Sequence, residues 1–191
     1  MTDWHRVKWS EAGQVLDLLG EAGAALPAPD GQTPAAYFDR LRADGRLAEA
    51  AKFLGQALPR LETVAWAARA VRDLSIPESE ASRANAPALR AALLWVGDPT
   101  ENRRRAAHAA AEACDSASPE RLAAMAAFFS GGSIAPPDCA ALPAPREAAG
   151  QFASGAVLSA AARTGGIPAA LNKALDLGAE IASRGVEPAT A

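Results

Sequence analysis

The chain has 191 residues, half of them apolar, and at this length a single core can remove roughly 70% of the unfolded surface. Alanine alone accounts for 51 residues, against 7 Val, 4 Ile and 6 Thr. Alanine is the strongest helix former and β-branched residues are what strands use, so a large sheet is excluded and the expected class is all-α. A net charge of -3 excludes a dominant grip on a nucleic-acid backbone, which needs a concentrated excess of Lys and Arg.

Helix punctuation is legible along the chain, because Ser, Thr or Asp favours the N-cap, Pro the first turn and Gly the position after the last. The stretch from Met1 to Ser10 holds Trp4, His5, Arg6, Lys8 and Trp9 but no apolar run of the kind a secretory signal carries. A helix is predicted from Ser10 to Leu19, ended by Gly20, and then a loop from Ala24 to Gln32 with Pro27 and Pro29. Thr33-Pro34 opens a helix that stops near Gly45, and from Arg46 to Leu58 the residues Leu47, Ala50, Ala51, Leu54 and Leu58 form one apolar stripe. Pro59 starts another helix at a sharp corner or hairpin. There Leu61, Val64, Ala67, Ala68, Val71 and Leu74 form the inward arc, Glu62, Arg69, Arg72 and Asp73 lie opposite, and Trp66 falls on the border.

Between Pro77 and Asp98, Pro87 is expected to break or restart any helix, which leaves Ala88 to Val96 as the helical segment. Asp98-Pro99-Thr100-Glu101 starts an alanine-rich helix over 101–114, and Ser118-Pro119-Glu120 starts one closed by Gly131-Gly132. Pro136, Pro137, Pro143 and Pro145 make 131–146 an extended connector. Helices over Glu147 to Arg163 and Ile167 to Arg184 bring the total to about nine, with a loose tail after 185. Gly150, Ser154, Gly155 and Ser159 are small residues spaced to let another helix approach closely. The expected architecture is one domain over 1–191, packed as helical hairpins. A faint echo between the Pro59 and Pro99 regions raises a repeat array as the alternative.

Few residues point to chemistry. His5 and His108 are the only histidines, and Cys114 and Cys139 have no CxxC partner, so no metal, cofactor or disulfide framework is expected. Arg104, His108 and Glu112 are spaced as a surface charge ladder. Arg103, Arg104 and Arg105 form the one basic run: either a patch for phosphate or an acidic partner, or a solvated, partly ion-paired face. Glu62, with Trp66 and Arg69 beyond it, is either a structural ion pair or an acid/base group, and the second reading needs a pocket and another polar residue. The glycine loops at 130–133 and 165–166 lack the Lys-Ser/Thr of a Walker loop. Trp4 and Trp9 read as an aromatic pair that docks on the chain's own bundle or on a partner.

The run Phe53-Leu54-Gly55-Gln56-Ala57-Leu58-Pro59-Arg60-Leu61-Glu62-Thr63-Val64-Ala65-Trp66-Ala67, followed by Arg72, resembles the DUF6931 group, an uncharacterised bacterial helical family. Its members carry a similar leucine-proline-arginine, then glutamate-alanine-valine-tryptophan-tryptophan, core; Ala65 stands where that pattern has its first tryptophan. Trp95 with Asp98-Pro99, Glu101-Asn102-Arg103-Arg104, and Phe128 with Ser130-Gly131-Gly132-Ser133 and Ala135-Pro136-Pro137 extend the resemblance. It implies no catalytic residue; it implies an accessory or adaptor role near contractile, type VI-like secretion systems. The expected function is therefore a non-catalytic cytoplasmic module that binds another protein, neither nucleic acid nor membrane. Its expected surface comprises Glu62, Trp66, Arg69, Arg72, Arg103, Arg104, Ser133, Pro136 and Pro137. The alternative is a small helical hydrolase or ligand-binding enzyme with Glu62 as acid or base.

Overall fold

A computed structural model of the chain describes residues 3–26, 30–75, 79–115 and 117–186. Their regular structure is helical: α1 (Ala12–Leu16), a 3₁₀ turn (Asp17–Leu19), α2 (Glu21–Ala24), α3 (Pro34–Ala43), α4 (Leu47–Ala57), α5 (Arg60–Leu74), α6 (Glu80–Gly97), α7 (Glu101–Glu112), α8 (Pro119–Phe129), α9 (Ala148–Ala162) and α10 (Ile167–Arg184). The all-α class holds, and the expected punctuation sets most boundaries. Thr33, Ser79 and Ser118 accept hydrogen bonds from backbone N–H groups of the turns they open, at Ala36, Ser82 and Arg121. Gly45, with φ of 72°, supplies the left-handed turn after α3.

Three expectations are corrected. The helix expected over 10–19 splits, because α1 ends at Leu16, tightens into the 3₁₀ turn and stops at Gly20 with φ of 58°. Pro87 does not break its helix: α6 runs through it as 18 residues. The proline is exposed, so water can reach the Arg83 carbonyl that loses its partner, while Ser82, Asn85, Ala88, Ala92 and Trp95 are buried along one face. Pro59 starts α5 at a corner as expected, serving as its N-cap with extended ψ of 156°, and α4 and α5 both pack on α9. The 131–146 connector folds back on itself, Ser133 and Pro143 forming one antiparallel bridge and Ile134 N–H donating to the Leu142 carbonyl at 2.8 Å. Pro27, Pro29 and Pro77, and the tail from 187 onward, for which the sequence sets expectations, lie outside the described residues; Gly185 and Val186 precede that tail, Val186 packed on the core.

The core forms around α9, which packs against α4, α5, α8 and α10. Ala149, Ala153, Ala156, Val157, Ala160 and Ala161 are all buried, so α9 has no solvated polar face along most of its length. Where α4 crosses it the backbones nearly touch: a Cβ on Gly55 would lie 2.7 Å from the Gly150 oxygen, and one on Gly150 would lie 2.6 Å from the Gly55 oxygen. Of the small residues expected to permit close approach, Gly150 makes this crossing. Gly155 has ordinary room, 3.7 Å from Leu122. The echo between the Pro59 and Pro99 regions has no structural counterpart in role, since α5 is buried on most sides and α7 buries only Arg104, Ala107 and Ala111. No helix of the described residues is long and apolar enough to cross a membrane.

Candidate functional site

The expected surface on α5 is not one surface. Trp66 is fully buried, and its indole N–H donates to the Ala174 carbonyl of α10 at 2.8 Å. Gly178, one turn further along α10, makes room for it: a Cβ there would overlap Leu54 and lie 2.9 Å from Trp66 Nε1. The helical arc places Trp66 at a border because periodicity gives a helix one wet face. Neighbours α6, α8, α9 and α10 cover α5 from several directions. Arg69 is half-buried, and Arg72 is exposed and paired with Asp73 at 2.8 Å.

Glu62 is buried as well, 3% exposed, and the described ion pair that holds it comes from Arg6. Arg6 Nε and Nη2 donate to the same carboxylate oxygen at 3.0 and 2.8 Å. The N-terminal segment is laid across α5, α10 and α3 by three contacts: this pair, the Arg6 N–H to Ala182 carbonyl bond at 2.9 Å, and the buried Trp4 ring 5.0 Å from Phe38. Trp4 thus docks on the chain's own bundle, while Trp9 stays half-exposed. A buried carboxylate fixed by a charge-assisted pair is a clamp between segments, the structural reading of Glu62. Glu120 is built alike: 2% exposed, it accepts from Arg163 at both carboxylate oxygens, joining the start of α8 to the end of α9.

The basic run on α7 is the more developed constellation. Arg103 turns away, to the Leu94 carbonyl at 2.7 Å and Asp98 at 3.3 Å. Arg104 and Arg105 converge, each bonded to Glu101 and each donating to the Ser133 carbonyl, at 2.7 and 3.1 Å respectively. Arg104 is buried, which corrects both the solvated face and the surface ladder expected of it. Its third nitrogen, Nη1, donates to the Phe128 carbonyl, and its guanidinium carbon lies 4.8 Å from the Phe128 ring centre. His108, one turn on, stacks on the same ring at 4.0 Å. Hydrogen bonds from Arg104 and then Arg105, outweighing the opposing effect of burial, hold Glu101 at about 2, well below the ordinary 4.5.

What this cluster supports is the loop. Ser133 is fixed through its carbonyl by the two arginines, and its hydroxyl accepts from the N–H groups of Ala135 and Leu142, at 3.2 and 3.0 Å. The tip above this base faces solvent: Pro136, Pro137, Asp138 and Cys139 are exposed, and Leu142 is 54% exposed. Ser133, Pro136 and Pro137 thus join Arg104 in one unit, separate from Glu62 and Trp66. Sequence reading placed Arg105 in the basic run but outside the expected surface, and missed the roles of Arg6 and the Phe128 carbonyl. The offsets from Glu101 to Arg104 and Arg105, three and four residues, are the local signal that could have found Arg105. Nothing local marks Arg6, 56 positions from its partner. Among the described residues no cluster of three or more His, Cys, Asp or Glu side chains could hold a metal ion.

The sequence model of a family of unknown function, DUF6931, matches residues 37–182. The chain belongs to the DUF6931 family. The match runs from Tyr37 in α3 to Ala182 in α10, so it takes in Glu62, Trp66, the Arg104 cluster and the loop, and leaves out Arg6. Three stretches that carry the resemblance to DUF6931, around Glu101, Phe128 and Ser133, meet at the one guanidinium of Arg104. No curated protein and no solved structure matches the chain.

Proposed function

We propose that this DUF6931 protein is a non-catalytic helical module that binds another protein through the loop over 133–143. The observation that carries the reading is the construction of that loop. A buried arginine with a second beside it, a bridge at the base and a serine hydroxyl bonded to two backbone N–H groups fix a segment whose tip is exposed. A loop held in shape before binding loses less conformational entropy when a partner docks, and a rigid scaffold presenting an irregular loop is a common way to build a contact surface. Pro136, Pro137 and Leu142 supply stiff and apolar contact atoms, and Arg105 lies at the α7 end of the same surface.

Support for binding over catalysis comes from where the acidic groups go: Glu62, Glu101 and Glu120 are each committed to arginine. A bacterial cytoplasm is the proposed setting, which two free thiols suit, and an accessory role in a contractile secretion system is where the partner is to be sought. The test is affinity capture from the native host with wild-type protein and with Leu142→Asp. Both should have the same melting temperature, since Leu142 adds little to the core, and the variant should lose the partner. Equal recovery by both removes the loop from the interface.

A further inference from the structure

A cleft of about 310 Å³ opens where the N-terminal segment, the α4–α5 corner and the start of α9 meet. Three cationic side chains line it, Lys8, Arg60 and Arg146, and among the described residues no carboxylate does. By comparison, Arg6, Arg42, Arg104, Arg121 and Arg163 each have an acidic partner. Arg60 donates to the Ser130 carbonyl at 2.7 Å, a contact that orients it and leaves its charge uncompensated. Lys8 and Arg146 are exposed and form no ion pair with a described residue. Like charges gathered at one concavity repel each other, and an anion placed between them relieves that repulsion and gains from the focused field.

The backbone adds to the same sign. Both helices that begin at the cleft, α5 after Pro59 and α9 after Glu147, lack a side-chain cap on their first N–H groups. Gln56 lines the cleft while 6% exposed; its amide nitrogen donates to the Glu147 carbonyl at 2.9 Å, and its amide oxygen is engaged by no described residue. The indole of Trp9 forms one wall, half-exposed, with Leu18 and Leu58 among the apolar lining. Three cations favour a dianion over a single carboxylate. A free acceptor and a flat aromatic wall favour a ligand with a donor and a planar body, and the volume is at the lower end of that of small-molecule sites.

We propose that this cleft binds a small organic phosphate, with Lys8, Arg60 and Arg146 around the phosphoryl group and Trp9 against the planar part. Adenosine 5′-monophosphate, inorganic phosphate and adenosine serve as probes by isothermal titration calorimetry on the full chain. The nucleotide should bind at least tenfold more tightly than inorganic phosphate, adenosine should give no saturable heat, and nucleotide affinity should fall with added salt. Lys8→Glu with Arg146→Glu should weaken nucleotide binding at least tenfold with an unchanged melting temperature, both side chains being exposed. Trp9→Phe should remove the ligand-induced change in tryptophan fluorescence.

No binding at millimolar nucleotide, or binding unaltered in the charge-reversed variant, overturns the site. Equal affinity for nucleotide and inorganic phosphate overturns the organic ligand, and preference for an acidic peptide over the nucleotide overturns the small-molecule assignment. Leu142→Asp should keep nucleotide binding, so this site and the loop interface fail or succeed separately.

Discussion

Replacing Gly178 with alanine sets two effects of known sign against each other. In the middle of a helix, alanine is favoured over glycine by about 1 kcal/mol. Against this, the new Cβ would overlap Leu54 and sit 2.9 and 3.0 Å from Trp66 Nε1 and Cδ1, and both neighbours are 0% exposed, so neither can swing into solvent. Adding a methyl group to a filled core costs about 1–3 kcal/mol. Displacing the indole also strains its bond to the Ala174 carbonyl, worth about 1 kcal/mol. The net expectation is a loss of about 2 kcal/mol, a fall of roughly 4–8 °C in melting temperature for a chain of this size. Gly155→Ala is the internal control: it also lies in mid-helix, its nearest neighbour would be 3.7 Å away, and it should gain about 1 kcal/mol. Urea and thermal unfolding followed by far-UV circular dichroism read both. If Gly178→Ala stabilises as Gly155→Ala does, the tight seat of Trp66 against α10 is wrong.

Arg6→Ala should destabilise by about 1–3 kcal/mol in urea unfolding, less than for a fully buried pair because Arg6 is 54% exposed, and adding Glu62→Gln should recover part of the loss. Glu101 should give the stability profile an acid limb. Its folded value of about 2 lies below its ordinary 4.5, so its contribution is present above about pH 4.5 and is lost as pH falls toward 2; melting curves of Glu101→Gln should lack that limb. Pro87→Ala should raise the melting temperature, by about 1–3 kcal/mol of stability, because it restores a hydrogen bond at an exposed position inside α6. No gain there would mean that the proline is matched to a bend that α6 requires.

The sequence made the helices legible for a local reason. Caps such as Thr33 and Ser118, prolines at first turns and glycines such as Gly45 act within one turn, so their effects can be read without the rest of the chain. Burial is not local in that sense. Trp66 was assigned to a border because periodicity divides one helix into a dry and a wet side, whereas α5 is enclosed by several neighbours. Pro87 was expected to break a helix by local propensity, and packing along the opposite face of α6 outweighed it. In the candidate site, the Glu101 offsets were visible and the targets of the two arginines were not, since the Ser133 and Phe128 carbonyls are brought in by the chain's path. The pair of Arg6 with Glu62 depends on the same long-range path, and no spacing rule reaches across it.

The alanine seam along α9 bears on how this protein can drift. Alanine codons change by single nucleotides to Val, Thr, Pro, Asp, Glu, Gly or Ser, and only the last two add little bulk or remove it. At Ala153, Ala156 and Ala161, each 0% exposed, most one-step mutations therefore thrust extra atoms or a charge into a filled space. Genetic variation should collect on the solvent side of α6 and α7, while the central helix stays monotonous because its neighbours leave it no larger alphabet.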